Sequence, residues 1–487
     1  MRQSSNELKQ RAYKRINDLK EIVASDPYRL YYHIMPPVGL LNDPNGFVFY
    51  KGQYHMFYQW NPFRTEHGAK FWGHVVSNDL VHWQDAEMAL APDQWYDKNG
   101  CYSGSAVVFQ EKLYVFYTGN VKNEQGNRES YQCLAVSADG IHFDKKGPVI
   151  DVPPGYTPHF RDPKVFEKDG KWYMVIGAQT EEEKGEAVIY TSSDLENWRF
   201  KGAIAGSGLN GLSDFGYMWE CPDLFDLGGK DILIVSPQGL APKGFEFNNI
   251  FQSGYFAGDV DYERVSFNHG AFVELDRGFD FYAPQTTTDA SGRRILVGWM
   301  GNAEETDAIQ PTVKKEWIHA LTLPRELESK DGKLLQHPVE ELQLLRENEV
   351  EHADVVVLEE ALTLPRVNGR VFELEIAIDA FYATNFSVAF GEKSSFHYDA
   401  KTQVFTCERG DFSGNGMETR HCVLESLQHV RMFKDTSSVE IFINHGEEVF
   451  TSRVFEDPNA DKICFFAKGG QVRINVKKWH LKKVIEY

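Results

Sequence analysis

Short apolar runs recur along the first two-thirds of the chain at a nearly constant interval. Tyr54-His55-Met56-Phe57-Tyr58, Leu113-Tyr114-Val115-Phe116-Tyr117, Trp172-Tyr173-Met174-Val175-Ile176, Asp231-Ile232-Leu233-Ile234-Val235 and Arg294-Ile295-Leu296-Val297-Gly298 are five such runs. Their fourth residues follow one another at steps of 59, 59, 59 and 63. The runs are β-branched and aromatic, and glycine-bearing turns (Lys51-Gly52, Asp169-Gly170, Gly228-Gly229, Ser291-Gly292) precede them. A period of this length built from strands predicts blades arranged around one axis, and five copies predict a five-bladed β-propeller over residues 30–335. Ser77-x-Asp79, Ser137-x-Asp139 and Ser192-x-Asp194 each precede an aromatic residue, Trp83, Phe143 or Trp198. They read as side-chain-stabilised turns, with the aromatic packed between blades.

The flanks carry different periods. In residues 1–29, Leu8, Ala12, Ile16 and Leu19 fall on one side of a helix, and Ser4 and Glu7 have capping-box spacing. Val339, Leu342 and Leu345 predict a short linker helix over 336–350. From 351 to 487, segments such as Val371-Phe372-Glu373-Leu374-Glu375-Ile376 and Val439-Glu440-Ile441-Phe442-Ile443 alternate with period two. That alternation predicts a C-terminal antiparallel β-sandwich, so the fold class is all-β in two domains.

Three carboxylates occupy one phase of the repeat. Asp43, Asp162 and Glu220 stand 14, 13 and 14 residues before the reference position, and each is closely followed by proline and an apolar run. Proline is tolerated at the start of a strand, where its missing N–H breaks no ladder bond. Innermost strands line the central channel, so these acids are expected to converge. An acid near a strand end is by itself often a turn former; three in the same phase are better explained by a shared site. The second copy offers Tyr102-Ser103-Gly104-Ser105 at this place and the fifth Tyr282-Ala283-Pro284-Gln285. Acids, hydroxyls, amides and flat rings (Trp60, Trp72, Trp219 and Trp299 are near in sequence) suit a sugar ligand.

Charge and composition narrow the class. A net charge of −20, from 71 acidic and 51 basic residues, argues against nucleic acid. No apolar stretch is long enough to span a bilayer. The N-terminus lacks an apolar leader and the six cysteines form no C-x-x-C pair, so a cytoplasmic location is expected. Cys221 lies beside Glu220 in sequence and is a candidate to tune that acid. No metal or cofactor is expected, and the oligomeric state is open.

Leu41-Asn42-Asp43-Pro44-Asn45-Gly46, Phe57-Tyr58-Gln59-Trp60-Asn61-Pro62, Trp72-Gly73-His74, Tyr102-Ser103-Gly104-Ser105, Arg161-Asp162-Pro163 and Glu220-Cys221 together resemble family 32 glycoside hydrolases, the invertase and fructanase group. Asp435-Thr436-Ser437-Ser438-Val439-Glu440 resembles a motif of that family's C-terminal sandwich. The stretch from His33-Ile34-Met35-Pro36-Pro37 to His74 is more similar to bacterial intracellular sucrose-6-phosphate hydrolases than to secreted invertases. Leu41 departs from the methionine that many relatives carry.

The resemblance implies retaining cleavage of a β-fructofuranoside, with Asp43 as nucleophile, Glu220 as general acid/base and Asp162 stabilising the transition state. By the same analogy Leu40, Leu41, Asn42, Gln59, Phe71, Trp72, Tyr102, Ser103 and Arg161 are candidate sugar contacts. A 6-phosphate needs a cation, and His67 and Lys70, near Arg64 in sequence, are the candidates. A fructan or sucrose hydrolase indifferent to phosphate is an alternative. So are an inverting propeller similar to family 43 and a lectin-like propeller that binds sugar without cutting it.

Overall fold

The structure is a computed structural model that describes residues 5–485. Among these residues one α-helix, Ser5–Ala24, precedes an otherwise β architecture. Ala12, Leu19 and Val23 of the helix are buried, and Leu8 and Ile16 pack against the same core. Ser4, the first half of the expected capping box, lies outside the described residues.

Five antiparallel sheets follow. Their first strands are Gly39–Tyr50, Cys101–Phe109, Tyr156–Lys168, Met218–Leu227 and Tyr282–Thr288. Each of these strands contacts the first strand of the next sheet, and the fifth contacts the first, so the five close a ring. The chain leaving the fifth sheet also pairs in parallel with the first, Trp317 with Gly39 and Ile318 with Leu40. The longer last step of the repeat coincides with the extended connection between Gln238 and Gly254 in the fourth sheet.

Period-two alternation explains how the sheets pack. Met174 and Ile176 of one strand join Phe116 and Leu134 in a core between the second and third sheets. Val175, between them in sequence, joins Leu233 and Val235 in the core between the third and fourth. Comparable cores separate the other neighbours, each full burial of such a side chain contributing about 1.5–3 kcal/mol. The Ser-x-Asp segments are turns in which the aspartate accepts backbone N–H bonds, as at Asp79, Asp139 and Asp194. Phe143 and Trp198 reach the preceding sheet, with ring centroids 5.6 Å from Phe57 and 5.7 Å from Phe116.

Every inner strand carries an irregularity of register at the same place. The breaks fall between Leu41 and Pro44, Cys101 and Gly104, Arg161 and Lys164, Glu220 and Asp223, and Tyr282 and Gln285. A bulge adds a residue to one strand, bends it and re-aims side chains. Side chains at these bulges bond the neighbouring inner strand all the way round. Ser103 Oγ donates to Asp43, Val165 N to Ser105 Oγ at 3.0 Å, and Cys221 N to Asp162 Oδ2 at 3.0 Å. Thr286 N donates to Asp223 Oδ2 at 2.8 Å and Phe47 N to Gln285 Oε1 at 2.9 Å, which completes the circuit.

The linker differs from expectation. Lys333–Pro338 is the last strand of the fifth sheet, and only a short 3-10 helix, Glu340–Leu345, separates it from a strand at Arg346–Val357. That strand pairs with Val472–Leu481, so backbone pairing wins over helix formation from 346 onward. Six- and five-stranded antiparallel sheets then enclose one apolar core that includes Phe372, Ile376, Phe405, Ile441 and Phe465.

Buried charges join the two parts. Arg325 is 0% exposed; its Nη1 donates to Asp276 Oδ2 at 3.0 Å and its Nη2 to Glu440 Oε2 at 2.7 Å. His33 bridges Asp435 (2.9 Å) and Glu440 (3.1 Å), and Asp435 also accepts the backbone N–H groups of Tyr31 and Tyr32. Removing one partner leaves the others buried and uncompensated. Arg325→Ala is therefore expected to lose about 3–5 kcal/mol, read as a lowered urea midpoint; a midpoint unchanged from the parent would refute the assignment.

Candidate active site

The bulges of the inner strands open into one cavity of about 270 Å³. Asp43, Asp162 and Glu220 all line it, with Asn42, Gln59, Tyr102 and Arg161. A cavity of similar size, about 290 Å³, lies against the N-terminal helix, but Asp85 is the one acid among its described lining residues. The convergence of three acids singles out the cavity at the ring's centre.

Each acid has its own partners. Asp43 accepts from Asn42 Nδ2 at 3.1 Å, from Gln59 Nε2 at 3.4 Å and from the Ser103 hydroxyl. Asp162 has φ of +67°, a left-handed conformation rare outside glycine, and its own N–H donates to Thr118 Oγ1 at 3.0 Å. Glu220 Oε1 takes a forked bond from Arg161, with Nε at 2.8 Å and Nη2 at 2.6 Å. Its Oε2 accepts from Tyr282 Oη and from Gln238 Nε2, both at 2.6 Å.

These surroundings pull the acids apart. Burial raises the pKa of Asp43 and the charge of Glu220 adds to this, against the opposing hydrogen bond from Ser103. Asp162 is pushed up to about 7, first by burial and then by Glu220. Burial pushes Glu220 the same way, but Arg161 and the Tyr282 hydroxyl outweigh it and hold Glu220 below its usual value. Glu220 is thus held toward its ionised form, while burial works against ionisation of the two aspartates.

Several candidates lie elsewhere. Leu40, Leu41, Phe71 and Trp72 are buried and are not among the cavity's lining residues. The Trp72 ring packs between the first two sheets, 5.6 Å from Phe57 and 6.2 Å from Tyr117, and its Nε1 donates to the Tyr102 carbonyl at 3.0 Å. Removing so large an apolar surface from water outweighs offering it to a sugar. Phe71 packs on Phe63, with centroids 5.8 Å apart. Ser103 sits behind Asp43 and bonds it without lining the cavity.

Lys70 is not a rim cation: it is 2% exposed, and its Nζ donates to Asn42 Oδ1 at 2.7 Å. Burial lowers its pKa to about 7 against the pull of Asp43. His67 lines the exposed mouth, 6.1 Å from the Trp299 ring, while the Arg64 side chain is 76% exposed. Cys221 touches the other two acids rather than tuning Glu220: its Sγ lies 3.6 Å from Asp162 Oδ2 and 3.9 Å from Asp43 Oδ2. Burial raises its thiol well above the ordinary value, so it is a neutral weak donor there.

Gln238 and Arg128 escape a reading confined to first strands. Gln238 ends the second strand of the fourth sheet opposite Met218, two residues from Glu220. Arg128 opens the third strand of the second sheet. The hairpin pairing of Glu220's strand is the signal that could have found Gln238.

Clustered carboxylates with hydroxyl, amide and guanidinium donors, at the hub of a ring of sheets, define a glycoside hydrolase. The chain belongs to glycosyl hydrolases family 32: residues 33–338 match the family's N-terminal domain and residues 341–482 its C-terminal domain. It is 52% identical over 476 residues, covering 98% of both chains, to the sucrose-6-phosphate hydrolase of Bacillus subtilis. With that of Klebsiella pneumoniae it shares 45% identity over 432 residues, 88% of this chain and 89% of the relative. Among solved structures, sucrose-6-phosphate hydrolase from Lactobacillus gasseri superposes with a TM-score of 0.87 at 35% identity, covering 97% of each chain. A β-fructofuranosidase of Bombyx mori gives 0.86 at 34% identity over 98% of this chain and 99% of its own.

The electrostatics predict a pH effect with a definite sign. A general acid works only while protonated, so activity falls as pH rises through its pKa. Arg161→Gln removes the cation that lowers Glu220 and is expected to move the basic limb of the kcat/KM profile to higher pH. A limb that stays in place or moves down would exclude Glu220 as that acid.

Proposed function

We propose that this chain is a retaining β-fructofuranosidase that hydrolyses sucrose 6-phosphate to glucose 6-phosphate and fructose, on a five-bladed propeller followed by a β-sandwich. The observation carrying this reading is the meeting of Asp43, Asp162 and Glu220 in one cavity. The named activities of the Bacillus and Lactobacillus relatives point to the substrate.

In the proposed mechanism, Asp43 attacks the anomeric carbon of the fructosyl unit and forms an ester, while Glu220 gives its proton to the departing glucosyl oxygen. Water then attacks the same anomeric carbon, losing a proton to Glu220, and the bond from that carbon to Asp43 breaks, which frees fructose and the Asp43 carboxylate. Asp43 and Glu220 line the same cavity and the charge of Glu220 is felt at Asp43, which supports a pair that acts together. Arg161 lowers the pKa of Glu220, so the proton that Glu220 donates is taken up from solvent as substrate binds. Entry of a neutral fructosyl unit strips water from the site, and desolvation raises the cost of the anion.

Asp162 and Asn42 are assigned to fructose hydroxyls, whose hydrogen bonds strengthen as oxocarbenium character grows. Lys70 holds Asn42 in place. The six free cysteines fit a reducing cytoplasm.

Asp43→Asn keeps the size of the side chain but removes the nucleophilic charge and one acceptor oxygen. It is expected to cut kcat by at least about 10³-fold while the variant stays folded and still binds sugar. Product fructose followed by NMR should emerge first as the β anomer. Undiminished turnover by the variant would remove Asp43 as nucleophile, and α-fructose as the first product would exclude retention.

A further inference from the structure

One guanidinium in the cavity makes no ion pair with a carboxylate among the described residues. Lys70 is engaged by Asn42, and Arg161 is committed to Glu220 through two nitrogens. Arg128 also lines the cavity, yet among the described residues it forms no ion pair. Its one side-chain hydrogen bond joins Nη1 to His159 Nδ1 at 3.3 Å. Arg161 Nη1 approaches the same nitrogen at 3.0 Å.

A guanidinium can only donate, so Nδ1 accepts from both arginines and the ring's hydrogen sits on Nε2. That Nε2–H is a second donor with no hydrogen-bond partner among the described residues. Burial and the neighbouring Arg161 lower the pKa of Arg128 against the pull of Tyr102, Glu220 and Asp162, and burial and the two arginines bring His159 to about 4. Two positive charges share one neutral ring in a chain that carries −20 overall.

The position also indicates what would bind. Arg161 grips Glu220, so Arg128 lies, across one imidazole, on the side of the proton donor. The group that departs from the fructosyl unit collects its proton on that side. Arg128 starts its strand directly after the turn closed by Asn123 N and Asn127 O at 3.0 Å, which carries it away from the inner strands. A planar fork with free donors suits a phosphate monoester better than a sugar hydroxyl.

We propose that Arg128, assisted by His159 Nε2–H, is the subsite for the phosphate monoester on the leaving-group sugar and sets the preference for a phosphorylated substrate. This rests on the assignment of Glu220 as the acid facing the leaving group. It replaces the sequence-derived candidates: Lys70 is buried against Asn42, and His67 stands beside Trp299 instead.

The test compares the parent chain with Arg128→Ala, Arg128→Gln and Arg128→Lys. Two readouts are taken: kcat/KM on sucrose 6-phosphate and on sucrose, and competitive inhibition of sucrose cleavage by glucose 6-phosphate and by glucose. Loss of the guanidinium is expected to reduce the ratio of the two kcat/KM values by about 10- to 100-fold, through KM. Inhibition by glucose 6-phosphate should weaken by a similar factor and inhibition by glucose should not change. Arg128→Lys should recover part of both, since it keeps the charge without the fork. Should the alanine variant fail to fold, the glutamine variant supplies the same readings.

The subsite is refuted if the variants retain both the ratio and the inhibition by glucose 6-phosphate, or lose the two substrates in equal proportion. If the parent shows no preference for sucrose 6-phosphate while glucose 6-phosphate still inhibits through Arg128, the proposed substrate fails and the subsite stands. If phosphate improves neither substrate nor inhibitor in the parent, both fail.

Discussion

The circuit of hydrogen bonds between inner strands is the constraint on which the rest of this molecule depends. At each bulge the regular ladder is broken, and a backbone N–H or hydroxyl of one strand finds a side-chain acceptor on its neighbour: Asp43, Ser105, Asp162, Asp223 or Gln285. Buried polar groups left unpaired would be costly, so the bulges are mutually supporting. Three of them hold a non-glycine residue at positive φ: Asp162 at +67°, Cys221 at +47° and Ala283 at +48°. Strain of this kind, of order 1–3 kcal/mol per residue, persists only where surrounding structure enforces it. Two of the five acceptors are also acids of the cavity, so closing the ring and building the site are one act.

That coupling shapes the electrostatics. Asp162 cannot turn away from Asp43 and Glu220 without surrendering the Cys221 N–H, and like charges brought this close do not all ionise. The protein offsets the repulsion with cations of separate duties. Arg161 holds Glu220 ionised and Lys70 steadies Asn42, while the neutral Cys221 thiol fills the space between the two aspartates.

The C-terminal sandwich takes part in this construction from a distance. Asp435 and Glu440 hold the segment at Tyr31–His33, from which the chain runs into the first inner strand, and Arg325 ties Glu440 to Asp276 beside the fifth sheet. His33 and the Asp435–Glu440 stretch, which are part of the family resemblance, therefore serve the joint between sheets and sandwich rather than chemistry. The burial of this network explains why such polar residues stand in otherwise apolar surroundings.

The order of strands, the common phase of Asp43, Asp162 and Glu220, and the β character of both halves were legible in the chain, because hydrophobic period and proline placement are local properties that survive without tertiary context. The helix Ser5–Ala24 was legible for the same reason. What only the folded chain decided is which side chains face the cavity and which face a neighbouring sheet. Trp72 and Lys70 lie in sequence as though they belonged to the sugar wall and the rim, yet one is consumed by packing between sheets and the other by Asn42. Arg128 and His159 come from the third strand of one sheet and the first of the next, and Gln238 from a second strand. No spacing along the chain records their proximity. It arises from the twist of the sheets and their closure into a ring, and these depend on all five copies at once.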